Sequence, residues 1–215
     1  MANIKDWLVI LNPNAGIKRG ERDWPVIKKL LYAHGISYHY EETTHKEHAI
    51  SLTRKMVSEG YKRIIAIGGD GTFNEVANGI MQQRRYEPNE VELGMITIGT
   101  GNDWGRMYGI PFNYEEAIKV ILNGKTFVQD VCKASYSSGI KIVERYLVNM
   151  AGLGFYAEVA LKVNARKEEG KGGKFSYFLN IFSTLMAYKS KKATITIDQK
   201  RFSEQIFSIN CGVCQ

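Results

Sequence analysis

The sequence predicts a mixed α/β protein with two domains, a mostly parallel α/β domain in residues 1–125 and a strand-rich, antiparallel β-sandwich in residues 126–215. Apolar runs alternate with helical patterns in the first segment, which is typical of a parallel sheet with helices on both faces. After residue 125, β-branched and alternating runs take over. With 44% apolar and 24% charged residues, the 215-residue chain can bury a sizeable core.

The elements of the first segment follow in order. An apolar stripe formed by Trp24, Ile27, Leu30 and Leu31 predicts the first helix, with Pro25 near its start. Thr44 is the expected N-cap of the second helix and Gly60 its stop. In chain order we expect strand 6–12, helix 22–35, strand 36–40, helix 44–60, strand 63–67, a helix entered at 68–72, strand 93–98 and helix 113–124.

The second segment reads as extended chain with two interruptions. The predicted strands cover 127–136, 140–150, 193–199 and 201–213, and the predicted helices lie near 155–166 and 175–189. We therefore place the domain boundary near residues 124–125.

Charge and cysteine content limit the expected binding partners and the cellular compartment. Residues 1–125 hold 16 basic and 15 acidic residues, whereas residues 126–215 hold 13 against 7, so the net charge of +7 lies mainly in the second segment. An anionic membrane surface is one partner for such a charge. Nucleic acid is not expected, because no recognised binding motif is present. Three cysteines without a paired framework indicate a reducing, cytoplasmic setting. We give the Cys211–Cys214 pair no metal or redox role.

Three polar loops carry the chemistry. They are NPNAG at 12–16, GGDGT at 68–72 and GTGND at 99–103, and each follows a predicted strand. Because the carboxyl ends of parallel strands meet at one edge of the sheet, we expect the loops to line a single crevice. Glycines let the backbone approach a ligand, and the helix behind the second loop presents free N–H groups that favour a phosphate.

Asp70 is the unusual member of these loops. A carboxylate beside bound phosphate is repulsive unless a metal ion or a proton transfer uses it. The loops match neither the GxxxxGK[ST] pattern of a P-loop nor the GxGxxG fingerprint of dinucleotide-binding folds. The residues predict a nucleoside triphosphate with a metal ion offsetting its charge.

The ordered motifs NPNAG, GGDGTFNEV, and GTGNDWGR followed by GIP resemble the diacylglycerol kinase/sphingosine kinase catalytic-domain family. Asp130, the run at 149–159 and GKFSY at 173–177 look similar to later features of that family, so the resemblance covers nearly the whole chain. It implies a phosphofructokinase/NAD kinase-like first domain, ATP as co-substrate, Mg²⁺ as cofactor and a lipid such as diacylglycerol as phosphoryl acceptor.

The resemblance also implies site residues. Asp70 is the provisional catalytic residue and the contact for Mg²⁺ held with ATP, and Asp103 is expected to pair with Arg106 and brace the third loop. The implied nucleotide-binding residues are Asn12, Gly16, Thr43, Gly68, Gly69, Asp70, Gly71, Thr72, Phe73, Asn74, Glu75, Thr100 and Asn102.

In bacterial members of the family, the general base is expected on a later Asp-Gly segment. No such dipeptide follows Gly71. Either Asp70 performs both tasks or the main base lies beyond Gln215, and we expect the second, in which case the chain is a C-terminally truncated form that lacks its base.

Alternative functions are a soluble-substrate kinase of the NAD kinase kind, a non-catalytic nucleotide-binding module, and a nucleic-acid binder that would leave the glycine loops without a role. The stretch 174–192 is either a packed amphipathic helix or, with the basic second segment, a peripheral contact with the inner face of an anionic membrane. A homodimer is left open. The four histidines are expected at the surface.

Overall fold

A computed structural model describes residues 6–99, 101–168 and 174–213, with the backbone course alone for 164–168 and 174–180. Its first half is built on a parallel sheet of strands β1 (Trp7–Leu11), β2 (Tyr38–Glu42), β3 (Arg63–Gly68) and β4 (Glu92–Thr97). The strand order is β2-β1-β3-β4, and all neighbours run parallel. Every residue of β1 is buried, as expected for a central strand covered on both faces.

Helices cover both faces of this sheet. Leu8 and Ile10 of β1 face one apolar cluster, and Val9 and Leu11 face another, because successive side chains of a strand point to opposite sides. The helices are α1 (Ala15–Ala33), α2 (His48–Glu59), α3 (Asp70–Gln82), α4 (Asp103–Met107) and α5 (Tyr114–Leu122). Residues of α2, α3 and α4 join the first cluster, and residues of α1 and α5 join the second.

Two helix starts differ from the prediction. Helix α1 begins before residue 22, through a segment in which Gly16, Ile17 and Lys18 all have φ of 61°, so Pro25 lies inside the helix. Helix α2 begins at His48 rather than at Thr44. The side chain of its N-cap residue, Glu47, makes no capping hydrogen bond. The predicted stop is confirmed, since Gly60 is the C-cap with φ of 121°.

Antiparallel pairs follow in the second half. Strand β5 (Cys132–Ser138) pairs with β6 (Lys141–Leu147), β7 (Met150–Gly154) with β10 (Ser208–Gly212), and β8 (Lys191–Ile197) with β9 (Lys200–Ile206). Helices α6 (Phe155–Glu168) and α7 (Lys174–Ala187) lie between β7 and β8 in the chain. The mixed α/β fold class is thus confirmed, with a parallel region followed by an antiparallel one. Packing of the described strands as a sandwich stays a prediction.

The chain divides into two compact units. The first runs to Asn149 and takes in Val213, and the second is Met150–Gly212. The β5–β6 hairpin therefore belongs to the first unit, because side chains of α3 bond to β6. The domain boundary expected near residues 124–125 stays a prediction. No helix of the described ranges is both long and apolar enough to cross a bilayer.

Candidate active site

The site lies where the strand order reverses direction. Strands β1 and β3 are neighbours in the sheet, but the helices that follow them, α1 and α3, pack on opposite faces. The loops after β1 and β3 consequently part and leave a crevice beyond the carboxyl ends of the strands, which is where open α/β sheets bind ligands.

Close backbone approach joins the second and third polar loops. A Cβ on Gly69 would lie 3.1 Å from Gly99 Cα, so a larger residue at Gly69 would push the loops apart. The side-chain Nδ2 of Asn102 donates to the Gly99 carbonyl at 2.9 Å and holds the third loop in place. Asn102 itself is buried and has a left-handed φ of 53°. Its Oδ1 finds no partner among the described residues.

Asn12 and Thr72 join the first loop to the second. Asn12 Nδ2 donates to Thr72 Oγ1 at 2.9 Å, and Asn12 Oδ1 accepts from the Asn14 amide at 3.0 Å. Thr72 is buried. Thr43 lies at the same edge, because its amide donates to the Leu11 carbonyl at 2.9 Å. These contacts brace the crevice.

The N-terminus of α3 supplies the anion-binding groups. The amides of Asp70, Gly71 and Thr72 have no partner within the helix, and the positive end of the helix dipole lies there. Gly71 is exposed, whereas the Phe73 amide is already bonded to the Gly69 carbonyl at 3.1 Å. This turn can therefore receive a phosphate through its backbone.

Asp70 is held from α4. Its Oδ1 accepts from the Trp104 amide at 3.0 Å. Its Oδ2 faces Gly101, where a Cβ would lie 3.3 Å from Asp70 Oδ2 and 3.6 Å from Asp103 Oδ2. Two carboxylates thus point toward one stretch of half-buried backbone, at Gly101.

This pair fits a magnesium ion that arrives with a nucleotide. Mg²⁺ is usually bound by one or two carboxylates plus phosphate oxygens and water. The described residues contain no group of three or more His, Cys, Asp or Glu side chains that could hold a metal. The sequence had named only Asp70 for this task. Asp103 forms no ion pair with Arg106 within the described part of the chain, and Arg106 lies over the Phe112 ring at 5.7 Å, so that expectation was wrong.

Phe73 and Asn74 face the protein interior. The Phe73 ring is 3% exposed and packs against the Trp104 ring with centroids 4.0 Å apart. Asn74 Oδ1 accepts from the Val148 amide at 3.3 Å. Nucleotide contact through either side chain stays a prediction.

Glu75 caps helix α2. Its carboxylate accepts from the amides of Glu47 at 3.1 Å and Ala49 at 3.3 Å, which replaces the cap predicted at Thr44. Burial raises the pKa of Glu75 above its ordinary 4.5, against the opposing effect of the two amides. The Glu47 side chain in turn pairs with Arg145 at 2.8 Å. A long-range cap of this kind leaves no local signal in the sequence.

The remaining predicted site residues divide by position. Gly68 ends β3, and Gly16 begins the left-handed segment near the start of α1. Thr100 lies outside the described residues. The His45 and His48 rings stack with centroids 4.5 Å apart, and Cys211 is exposed on β10, while Cys214 lies outside the described residues.

Sequence reasoning missed Trp104, Gln129 and Asn78. Trp104 Nε1 donates to Gln129 Oε1 at 2.8 Å. Asn78 bonds to both backbone groups of Tyr146, donating at 2.7 Å and accepting at 2.8 Å. A polar residue on the apolar face of a helix, as at Asn78, is the signal that could have indicated a buried partner.

Comparison with known proteins gives a consistent result. The sequence profile of the diacylglycerol kinase catalytic domain matches residues 6–134. A diacylglycerol kinase of Staphylococcus haemolyticus is 31% identical over 205 residues, which are 95% of this chain and 58% of that protein. For a diacylglycerol kinase of Staphylococcus epidermidis the identity is 33%, with 95% and 61% covered. This chain therefore spans about three fifths of the length of these relatives.

Solved structures agree. A crystal structure of a diacylglycerol kinase from Bacillus anthracis strain Sterne superposes with a TM-score of 0.63 at 25% identity, covering 97% of this chain and 64% of that one. A second crystal structure from that strain, provisionally assigned as a diacylglycerol kinase, gives 0.68 at 27% identity, with 97% and 66% covered. Motifs, fold and relatives agree, and the chain belongs to the diacylglycerol kinase catalytic domain family.

Proposed function

We propose that this protein takes part in ATP-dependent phosphorylation of a lipid hydroxyl, such as that of diacylglycerol. The observation that carries the proposal is the position of Asp70, a half-buried carboxylate in the first turn of α3, beside free helix amides at the carboxyl edge of the sheet. A carboxylate at an anion-binding turn is unfavourable unless the site also handles a cation or a proton.

The backbone would bind the phosphates. The amides of residues 70–72 point out of the helix start, and Gly69 and Gly71 put no side chain in the way. Asp70 and Asp103 would hold Mg²⁺, which neutralises charge on the transferred phosphoryl group. Trp104 keeps one oxygen of Asp70 occupied and leaves the other facing Gly101.

Phosphoryl transfer makes one bond and breaks one. The lipid hydroxyl oxygen bonds to the γ-phosphorus, the bond from that phosphorus to the bridging oxygen breaks, and ADP leaves with the electron pair. The hydroxyl proton passes to a carboxylate base. We propose Asp70 for the cation, and the transfer test decides whether it also accepts this proton or a separate base does so.

The test is transfer of labelled γ-phosphate from MgATP into diacylglycerol, sphingosine, ceramide and phosphatidylglycerol. If Asp70 also accepts the proton, this chain should form product with diacylglycerol, and the Asp70→Asn variant should lose about 100-fold or more of that activity. Silence from a folded chain that still binds MgATP would leave the nucleotide site standing and assign the base to another residue. Asp198→Asn is the matched control, because Asp198 lies in a hairpin turn with φ of 52°, a conformation that asparagine tolerates.

Equal activity in Asp70→Asn and Asp198→Asn would contradict the role of Asp70. Phosphorylation of water-soluble alcohols with no response to lipid would favour the NAD kinase-like alternative. Binding of MgATP without transfer to any acceptor would favour a nucleotide-binding module.

A further inference from the structure

We propose that Gln129 is a positioning residue for Asp70 and acts through Trp104. The side chain of Gln129 makes no contact with the glycine loops themselves in any hydrogen bond of the described residues. It instead bonds to the indole of the residue whose amide holds the Asp70 carboxylate. The inference rests on the proposed function. It names a residue outside the glycine loops that positions Asp70 within them.

Trp104 is the link. Its amide donates to Asp70 Oδ1 at 3.0 Å, and its ring is 6% exposed. The ring lies against Phe73 with centroids 4.0 Å apart and against Tyr108 with centroids 4.6 Å apart. Since Phe73 and Asp70 are in the same helix, the residue that holds the carboxylate also packs against the helix that carries it.

Ring packing alone does not set the direction of the indole. Apolar contact is non-directional, whereas an N–H···O bond requires a defined angle. Within the described residues, the one hydrogen bond of the Trp104 ring runs from Nε1 to Gln129 Oε1, at 2.8 Å. Gln129 therefore determines which way the buried ring, and with it the start of α4, is turned.

Gln129 is itself fixed at its other end. Its Nε2 donates to the Val148 carbonyl at 2.6 Å, and the Val148 amide donates to Asn74 of α3 at 3.3 Å. Val148 is buried. The amide group of Gln129 thus has both ends satisfied, and the chain of contacts begins and ends on helix α3.

Removing the acceptor at Gln129 should change the orientation of the Trp104 ring. In Gln129→Met the side-chain volume is similar, but the buried indole N–H loses its partner, and the ring must turn or admit water to satisfy it. The Trp104 amide moves with the ring, so the Asp70 carboxylate loses a fixed donor. Outer-shell partners of metal-binding carboxylates typically contribute about 10–100-fold in metal affinity or activity.

The test distinguishes an effect on the position of Trp104 and Asp70 from an effect on the stability of the fold. Gln83→Met is the matched control, because Gln83 is a buried glutamine at the far end of α3 whose amide also bonds to backbone, at Arg85 and Tyr86. Gln129→Glu keeps an acceptor for the indole but loses the donor to Val148, so it should be less stable than the wild type while still orienting Trp104.

Two measurements are made on the four proteins. Calorimetric titration with MgATP should show affinity about 10-fold weaker in Gln129→Met, near wild type in Gln129→Glu, and unchanged in Gln83→Met. Without nucleotide, hydrogen exchange of the Trp104 amide should be faster in Gln129→Met only.

Two results would overturn the inference. One is unchanged exchange of the Trp104 amide in Gln129→Met. The other is a loss of MgATP affinity that follows the melting temperature across all variants, Gln83→Met included. A wild-type protein that binds no MgATP would contradict the proposed function instead, and the exchange measurement would still decide the role of Gln129.

Discussion

Side chains of the glycine loops bond mainly to one another and to neighbouring elements. Asn12 is joined to Thr72, Asn102 to Gly99, and Asp70 to the Trp104 amide. This leaves exposed backbone at Gly71 and one oxygen of Asp70 facing the crevice. A preorganised backbone cradle binds an anion without first having to order its side chains.

Glu75 is a carboxylate beside this cradle, and its pKa reflects the balance between burial and hydrogen bonding. Its pKa is raised because burial outweighs the two amide donors. Above pH 4.5 the folded protein then binds more protons at Glu75 than the unfolded chain does, so this group's contribution to stability falls as pH rises. Glu75→Gln cannot ionise and lacks that dependence.

We therefore expect the free energy of unfolding of the wild type, relative to Glu75→Gln, to decrease as pH rises from about 4.5 toward neutrality. Urea unfolding at a series of pH values measures it. A difference that increases with pH would mean that the amides of Glu47 and Ala49 outweigh burial, and that the pKa of Glu75 is lowered.

Helix α3 joins the crevice to strand β6. Asn74 and Asn78 are four residues apart and so lie on one face of the helix. Their side chains bond to the backbone of Val148, just after β6, and of Tyr146 in β6, so the hairpin is held by α3 as well as by the pairing of its own two strands. One end of α3 thus faces the proposed phosphate site while its middle holds the β5–β6 hairpin.

The two hydrogen bonds between Asn78 and Tyr146 form a clamp on the β5–β6 hairpin, and their loss should lower the free energy of unfolding. In Asn78→Leu the backbone amide and carbonyl of the half-buried Tyr146 lose their partners. We expect a loss of about 2–4 kcal/mol in the free energy of unfolding, which corresponds to a fall in Tm of roughly 5–15 °C. Calorimetry measures the fall.

Hydrogen exchange locates the effect of Asn78→Leu. The Tyr146 amide should exchange faster, while amides of the central strand β1 keep their protection until global unfolding. A comparison variant, Asn113→Ala, removes the cap that accepts from the Glu116 amide at 3.1 Å and should cost only about 1 kcal/mol. An equal loss in both variants would contradict the clamp.

Positive charge is concentrated in the second part of the chain, where residues 126–215 carry 13 basic and 7 acidic residues. Helix α7 exposes Phe182, Leu185 and Met186, with Met186 76% exposed. Phe175, Phe178 and Leu179 of the same stretch have side chains outside the described set. We propose that these exposed apolar side chains, together with the basic residues of this part of the chain, contact an anionic membrane surface.

Vesicle co-sedimentation tests this contact. Binding should increase with the fraction of phosphatidylglycerol in phosphatidylcholine vesicles and decrease with salt, because the Debye length shortens. Phe182→Ser with Met186→Ser should weaken binding, and Tyr32→Ser, which alters a side chain 86% exposed on α1, should not. Binding that responds to neither lipid charge nor salt would contradict the proposal.

The parallel sheet, the three polar loops and the family could all be read from local patterns. Alternating apolar runs predict buried strands, and glycine turns before helical periodicity predict an anion-binding edge, because both depend on neighbouring residues alone. The ordered motifs then pointed to a lipid kinase family.

Long-range contacts decided the rest. The cap of α2 comes from Glu75, the partner of Asp70 is Trp104, and the hairpin after residue 131 joins the first unit through Asn78. Each contact joins residues at least 26 positions apart, so no short window of sequence contains both partners. Packing determined which motif residues face inward, because each polar group that is buried must find a donor or acceptor wherever the fold places one.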